Sequence, residues 1–246
     1  AFPAMAFTHL QPAEPTTFGY RYAWYAQELL ESAARLDSTI ADLRGKGFKG
    51  AVGTSASYCE LVGAAHFDEF EYVLSQALDL PFFEVTNQTY PRLQEYRILS
   101  LLAEIAAALH KMAFDFRILQ MPVIGELAEP FGAHQVGSSA MPFKRNPIES
   151  EKIDSLARLV IADSQVAWYD AALSGLERTL DDSANRRVIL PESFLATDEL
   201  LTTMERIVVG QVIDEAAIRH TVDQFAPFAA TERVLMALAK AGVDRQ

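Results

Sequence analysis

The sequence predicts an all-α protein built as a bundle of long helices. Apolar residues recur at helical spacing, every three or four positions, over most of the 246 residues. No helix breaker lies between Pro91 and Pro122, so one helix there is expected to run about 28 residues, or roughly 42 Å. Strand signals are almost absent. These observations favour one continuous helical domain.

The helical segments are bounded by turn and capping residues. Asn146-Pro147 with Glu149 forms a capping box that would start the fourth helix. Glycines at positions 45, 47 and 50 satisfy the GxGxxG pattern, but no strand precedes them, so they are interpreted as a turn between helices. The predicted helices comprise residues 17–43, 60–78, 92–119, 147–174 and 192–210.

The apolar positions of the third helix cover a broad face. This face is wider than a single antiparallel helix can bury. Its width predicts that subunits associate into a homotetramer with a helical core. The positions that indicate this are Ile98, Leu101, Leu102, Ile105 and Leu109.

Composition excludes several classes of protein. With 50% hydrophobic residues the chain can bury a large core, and no apolar run reaches the roughly 18 residues of a membrane span. The formal charge of −12 and the scattered basic residues argue against nucleic-acid binding. Cys59 is the single cysteine, and no histidine or cysteine has zinc-ligand spacing. We expect a cytoplasmic protein without a metal or organic cofactor.

The segment GSSAMPFKRNP, residues 137–147, has the chemistry to handle a carbanion beside a carboxylate. Ser138 or Ser139 can take a proton, while Lys144 and Asn146 can receive the negative charge that develops. The positive end of the helix that begins near Pro147 would assist the serine. The alternative is a surface loop in which Asn146 is only a helix cap.

Two other groups of residues suit an anionic substrate. Arg178, Ser183 and Arg187 offer two guanidinium groups and a hydroxyl, which fit a phosphate. The alternative is a surface salt-bridge network of the arginines with Asp181 and Asp182. Two further residues, His9 and Gln88, lie before long helices. Either could contact a ligand, but the alternative is an ordinary structural role for His9 and a capping role for Gln88.

The loop at residues 137–147 resembles, nearly throughout, the signature loop of the fumarase, aspartase and adenylosuccinate lyase superfamily. The segment THLQPAEPTTFG is similar to the part of adenylosuccinate lyases that carries their general-acid histidine, which corresponds to His9. By the same resemblance, Glu151 would pair with that histidine. Phe143 stands where many of these enzymes have a histidine, a departure expected to alter loop packing more than chemistry.

The resemblance also implies how a substrate is held. Arg178, Ser183 and Arg187 match the contacts to the nucleotide phosphate, which favours adenylosuccinate lyases over relatives without a nucleotide substrate. Gln88 matches a glutamine that contacts the substrate, with the basic Arg92 following it. Two further residues of the signature loop are expected to contact the substrate: Ser139 and Met141.

The reaction implied is β-elimination of fumarate from adenylosuccinate, giving AMP, and from SAICAR, giving AICAR. Ser138 would remove the carbon proton, Lys144 and Asn146 would stabilise the dianionic intermediate, and His9 would protonate the departing nitrogen. A 3-carboxymuconate cycloisomerase, an argininosuccinate lyase and a non-catalytic structural protein on the same fold remain alternatives.

The resemblance finally implies a domain organisation. Residues 1–240 correspond to the central helical-bundle domain, and residues 241–246 would begin a C-terminal domain that is missing. The N-terminal domain of the family, with a second active-site histidine, has no counterpart here. In the family each active site is assembled from three subunits, so we expect this chain alone to be inactive.

Overall fold

The computed structural model describes residues 2–132, 141 and 143–243. Within them, the all-α prediction is confirmed, and the long segments become long helices. The helices are α1 (Phe18–Ala41), α2 (Ala56–Val62), α3 (Phe67–Leu78), α4 (Leu93–Leu119), α5 (Ile148–Ala172), α6 (Ser183–Gly210), α7 (Glu215–Ala229) and α8 (Thr231–Lys240), with a 3-10 turn at Ala64–His66.

Two of the predicted helices have different bounds. The segment 60–78 is divided because Gly63 adopts a φ of 86°, and α3 starts only at Phe67. Helix α6 begins nine residues before the predicted start, and Pro191 lies inside it. A proline removes one backbone hydrogen bond, so the predicted helix started only after this residue, which was wrong. Helices α7 and α8 were not predicted.

Four short strands also depart from the sequence interpretation. β1 (Pro3–Thr8) pairs antiparallel with β2 (Gln11–Thr17), and β3 (Leu127–Ala128) pairs with β4 (Val212–Ile213). The first pair lies in the segment before α1, where no strand was predicted. Its prolines at positions 3, 12 and 15 suppress the strand signal, since proline is rare within sheets.

The chain divides into two compact units. Unit 1 contains residues 1–29, 108–154 and 201–246, and unit 2 contains residues 30–107 and 155–200. The core of unit 1 is built around Phe116, whose ring lies 5.9 Å from that of Tyr22 and 6.2 Å from that of Tyr25. Fully buried apolar residues also include Met5, Leu109, Ile153, Ile207 and Ile218.

Unit 2 has a core of smaller apolar side chains along its helices. Leu99, Ala106, Ala157, Val160 and Leu200 are completely buried. The glycine-rich segment forms no dinucleotide-binding loop: Gly45 makes an isolated parallel bridge with Phe82, and the segment connects α1 to α2. The interpretation as a turn between helices is therefore confirmed.

Candidate active site

His9 lies at the tip of the β1–β2 hairpin, in unit 1. Thr8 pairs with Gln11, so His9 and Leu10 form a two-residue turn, with φ angles of 53° and 60°. This is the backbone of a type I′ turn, which normally selects asparagine and glycine. Side-chain-bearing residues in this left-handed region carry about 1–2 kcal/mol of strain each. Such strain is typical of functional sites, and here it holds an exposed histidine.

The hairpin tip borders a cavity of about 1030 Å³. Its wall combines apolar side chains with several titratable groups, which is the composition expected of a ligand site. The polar residues that line it are His9, Arg21, Tyr25, Lys111, Asp115, Asp214, His220, Thr221 and Gln224.

A set of polar contacts fixes one wall of this cavity. The Tyr25 hydroxyl donates a hydrogen bond to Asp115 Oδ2 at 2.7 Å, and Lys111 forms an ion pair with the same carboxylate. Burial is the main cause that raises the pKa of Tyr25, and its hydrogen bond to Asp115 raises it further. The phenol therefore stays protonated near neutral pH and remains a donor.

Arg21 ties the hairpin to the rest of unit 1. Its guanidinium donates to the Met5 carbonyl at 2.9 Å and to the Glu126 carboxylate at 3.2 Å. Glu126 is fully buried. Sequence reasoning missed these supporting residues, although two pairs at i, i+4 spacing, Arg21 with Tyr25 and Lys111 with Asp115, place their side chains on one face of a helix.

The signature loop is described only in part. Ser138 and Ser139 lie outside the described residues. Met141 is exposed and its carbonyl accepts the N–H of Lys144 at 2.9 Å. The Lys144 side chain is exposed, and Asn146 is half-buried beside the start of α5. The roles predicted for these residues stay predictions.

Glu129 caps the N-terminus of α5. Its carboxylate accepts the N–H groups of Glu149 at 3.1 Å and of Ser150 at 2.6 Å. A carboxylate here compensates the positive end of the helix dipole. Those two first-turn N–H groups are thus already bound, which weakens the expectation that this helix end supports the serine base.

Glu151 has an arginine partner within this chain. Its carboxylate lies 3.6 Å from Arg117, which also pairs at 2.6 Å with the buried Asp154. His110 contributes a second contact to Asp154, at 3.6 Å. About half of the Glu151 side chain is exposed, so a further partner has access. The predicted pairing with His9 stays a prediction.

The residues predicted to contact a phosphate lie in unit 2. Arg178 is in the loop between α5 and α6, Ser183 is the first residue of α6, and Arg187 is one turn further along. Arg187 is exposed and forms no ion pair within the described residues. Gln88 is exposed in the loop before α4, beside a turn in which Asn87 Oδ1 accepts the N–H of Thr89 at 2.9 Å.

Arg178 belongs to an ion network with Asp182, as the salt-bridge alternative predicted, but this network is buried and includes Arg92, whereas the alternative was a surface network. Its guanidinium donates to Asp182 at 3.0 Å, and Arg92 donates to the same carboxylate at 2.8 Å. Burial by itself would raise the pKa of Asp182, but the hydrogen bonds and charges of these arginines hold it below its ordinary value. Asp182 is therefore ionised at neutral pH. Sequence reasoning had named it only as a complication.

Asp170 is a carboxylate of this region whose pKa is shifted in the opposite direction to that of Asp182. It is buried and accepts a hydrogen bond from the Asn185 amide at 2.7 Å. Burial raises the pKa of Asp170, against the opposing effect of that hydrogen bond. The ionised form of Asp170 is thus less favoured than the ionised form of Asp182.

Among the described residues, no group of three or more histidine, cysteine, aspartate or glutamate side chains is placed to hold a metal ion. None of the helices formed by those residues combines the length and apolar character that crossing a membrane requires.

A family model and curated proteins of similar sequence both identify relatives that are lyases. A family model described as "Lyase" matches residues 2–162. Proteins named adenylosuccinate lyase are 40% identical in Schistosoma mansoni, over 97% of this chain and 50% of that protein, and 39% identical in Schizosaccharomyces pombe, over 99% and 51%. The chain spans about half the length of the curated relatives it matches.

Solved structures give the same fold. A fumarate lyase from Mesorhizobium sp. BNC1 has a TM-score of 0.81 and 28% identity, covering 97% of this chain and 51% of that one. The 3-carboxy-cis,cis-muconate lactonizing enzyme from Pseudomonas putida has a TM-score of 0.83 and 26% identity, covering 97% and 52%.

Proposed function

Because this chain belongs to the lyase family of the fumarase and aspartase superfamily, we propose that it carries part of the active site of an adenylosuccinate lyase. The proposed reaction cleaves adenylosuccinate to AMP and fumarate, and SAICAR to AICAR and fumarate. One observation carries the proposal: curated proteins of that name match nearly the whole chain. Fold alone does not select this substrate, since a fumarate lyase and a lactonizing enzyme share it.

The proposed chemistry is a β-elimination. A base takes the proton from the carbon beside a carboxylate, and the electron pair is held as an aci-carboxylate before the C–N bond breaks toward nitrogen. Ser138 is the proposed base, and Lys144 with Asn146 stabilises the charge that develops on the carboxylate. His9 then gives a proton to the departing nitrogen.

The geometry of unit 1 supports the assignment of His9. Its strained turn presents an exposed imidazole at a cavity large enough for a small-molecule ligand. Glu151, the proposed partner of His9, would have to orient that histidine while also paired with Arg117.

We propose that the phosphate of the nucleotide binds to Arg178, Ser183 and Arg187, with Gln88 and the loop residues Ser139 and Met141 contacting the rest of the substrate. Of the two guanidinium groups, that of Arg187 is the more accessible to a phosphate, because Arg187 is exposed and Arg178 is already bound to Asp182. A guanidinium remains charged and can bind phosphate oxygens bidentately.

An assay of fumarate release tests the proposed function. The full-length protein should release fumarate from adenylosuccinate and from SAICAR, and should not lactonize 3-carboxymuconate or cleave argininosuccinate. Turnover of either rival substrate without turnover of adenylosuccinate would assign the protein to that relative. Absence of turnover with all of them, in folded protein, would favour a structural role.

Arg187→Ala is expected to weaken AMP binding by about 1.5–3 kcal/mol, roughly tenfold to 150-fold, because a charge-assisted hydrogen bond to phosphate is lost. Isothermal titration of the full-length protein with AMP measures the effect. Arg219→Ala is the matched control, since it removes an exposed arginine from α7. Equal AMP affinity in Arg187→Ala and the parent would contradict the phosphate assignment.

We also propose a homotetramer with no nucleic-acid or membrane partner. Large apolar side chains are exposed along three of the long helices, among them Trp24, Leu30 and Ile40 on α1, Trp168 and Tyr169 on α5, and Phe194 and Leu195 on α6. Exposed apolar surface of this extent indicates subunit contacts. Light scattering of the full-length protein at micromolar concentration should give four times the subunit mass, and a stable monomer would refute the proposal.

A further inference from the structure

Asp182 is the centre of a buried network of charged side chains in unit 2. Its carboxylate is only 2% exposed and accepts hydrogen bonds from Arg92 and Arg178. Arg186 lies 4.0 Å away and donates to Glu95, the second buried carboxylate, at 2.5 Å. Arg92 also reaches Glu95, at 3.2 Å. Three guanidinium groups thus share these two carboxylates, and the buried Asp170 lies close enough to interact electrostatically with Asp182, Glu95 and Arg186.

The network connects two segments that lie far apart in the sequence. Arg92 follows the loop that carries Gln88, and its guanidinium stacks on Tyr90 of that loop at 4.9 Å. Tyr90 in turn donates to Glu95 and accepts a hydrogen bond from Arg186 at 3.2 Å. On the other side, Arg178 comes from the loop that leads into α6. A single carboxylate, Asp182, therefore contacts both segments.

We propose that Asp182 is a positioning residue for the phosphate-binding end of the site: it holds Arg178, and through Arg92 the Gln88 loop, in one orientation before the substrate binds. This inference rests on the proposed function. Asp182 touches no substrate atom and acts through the side chains that do.

Pre-organisation is the physical reason that such a residue matters. An arginine has several rotatable bonds, and immobilising it only when the ligand arrives costs affinity. Asp182 already fixes Arg178 through one nitrogen, Nη1, while the other guanidinium nitrogens are not used in that contact. The low pKa of Asp182 keeps this anchor charged at neutral pH.

Asp182→Asn tests the proposal because it keeps the shape of the side chain and removes its charge. In the full-length protein we expect the Kd for AMP and the KM for adenylosuccinate to rise about tenfold, because Arg178 loses its charged anchor. The kcat should stay within about threefold, because the reacting groups are elsewhere. Inhibition by fumarate should not change, since fumarate lacks the phosphate.

Asp163→Asn is the matched control. Asp163 is a buried carboxylate of the same unit, but its partner is the Ser193 hydroxyl, at 2.9 Å, and it lies outside the network. Both variants remove one buried charge, so both are expected to lower the melting temperature. Only Asp182→Asn should weaken AMP binding selectively. Equal losses of AMP and fumarate binding in Asp182→Asn would indicate a purely structural role and overturn the proposal.

Arg92→Gln is the second variant if Asp182→Asn does not fold. It breaks the connection between Asp182 and the Gln88 loop, and we expect the same selective loss of AMP affinity. A folded Arg92→Gln protein with parental AMP affinity would overturn the proposal. If the unaltered protein neither binds AMP nor releases fumarate from adenylosuccinate, the proposed function itself fails and the positioning role fails with it. Parental activity with unchanged AMP binding in a folded Asp182→Asn protein refutes only the positioning role.

Discussion

His9→Asn is expected to lower kcat of the full-length protein by about 10²- to 10⁴-fold, because the departing nitrogen loses its proton donor. The same change should leave the melting temperature unchanged or raise it. His9 adopts a φ of 53° at a type I′ turn, where asparagine is among the preferred residues. Steady-state fumarate release and thermal unfolding measure the two effects on the same preparation.

The opposed directions of these effects separate a catalytic role from a structural one. A histidine that only stabilised the turn would lose little activity on replacement by a residue that favours this backbone. The kcat and kcat/KM values should fall together, as they do when an interaction made only in the transition state is removed. His66→Asn is the control, because His66 is exposed in the 3-10 turn of unit 2. Parental turnover in His9→Asn would exclude this histidine as the general acid.

Ser138→Ala is expected to lower turnover by about 10²-fold or more while substrate affinity changes little, because it removes a group that acts in the transition state. Affinity is best measured as the Kd of adenylosuccinate in the slow variant, and turnover as single-turnover fumarate release. Lys144 and Asn146, which are expected to hold the intermediate, are unchanged in this variant.

Ser139→Ala is the matched control for the base. The two serines are adjacent, so both substitutions remove one hydroxyl from the same loop. If Ser139→Ala loses turnover and Ser138→Ala retains it, the role of the base moves to Ser139. If both variants retain most of their turnover, neither hydroxyl is the base, and the chemistry proposed for residues 137–147 is wrong.

The long helices were the most predictable part of the fold. Residues 92–119 and 147–174 were predicted, and α4 and α5 span Leu93–Leu119 and Ile148–Ala172. Each segment repeats its apolar positions through several turns, so many residues contribute to one signal. Pro91, Pro122 and Pro147 then mark the bounds. Proline has no backbone N–H to donate to the preceding turn, so it is disfavoured inside a helix.

The hairpin and the first nine residues of α6 were not predictable by the same reasoning. His9 and Leu10 occupy turn positions that usually select asparagine and glycine, so the sequence contains no hairpin signal there. Packing overrides the local preference, and Arg21 secures the hairpin through the Met5 carbonyl. In α6 the surrounding helix tolerates Pro191, although the residue type alone indicates a break.

The helical class and the set of charged groups available to a substrate follow from the sequence alone, and the chemistry proposed for residues 137–147 rests on it as well. Each depends on short-range patterns, either a helical period or a string of functional side chains. Which of these charges are already paired depends instead on tertiary packing. Arg178 and Arg92 meet at Asp182 although Arg92 is 90 residues from it in the chain, and Glu151 meets Arg117. Such partners are set by the packing of separate helices, and sequence spacing carries no record of which buried carboxylate an arginine will reach.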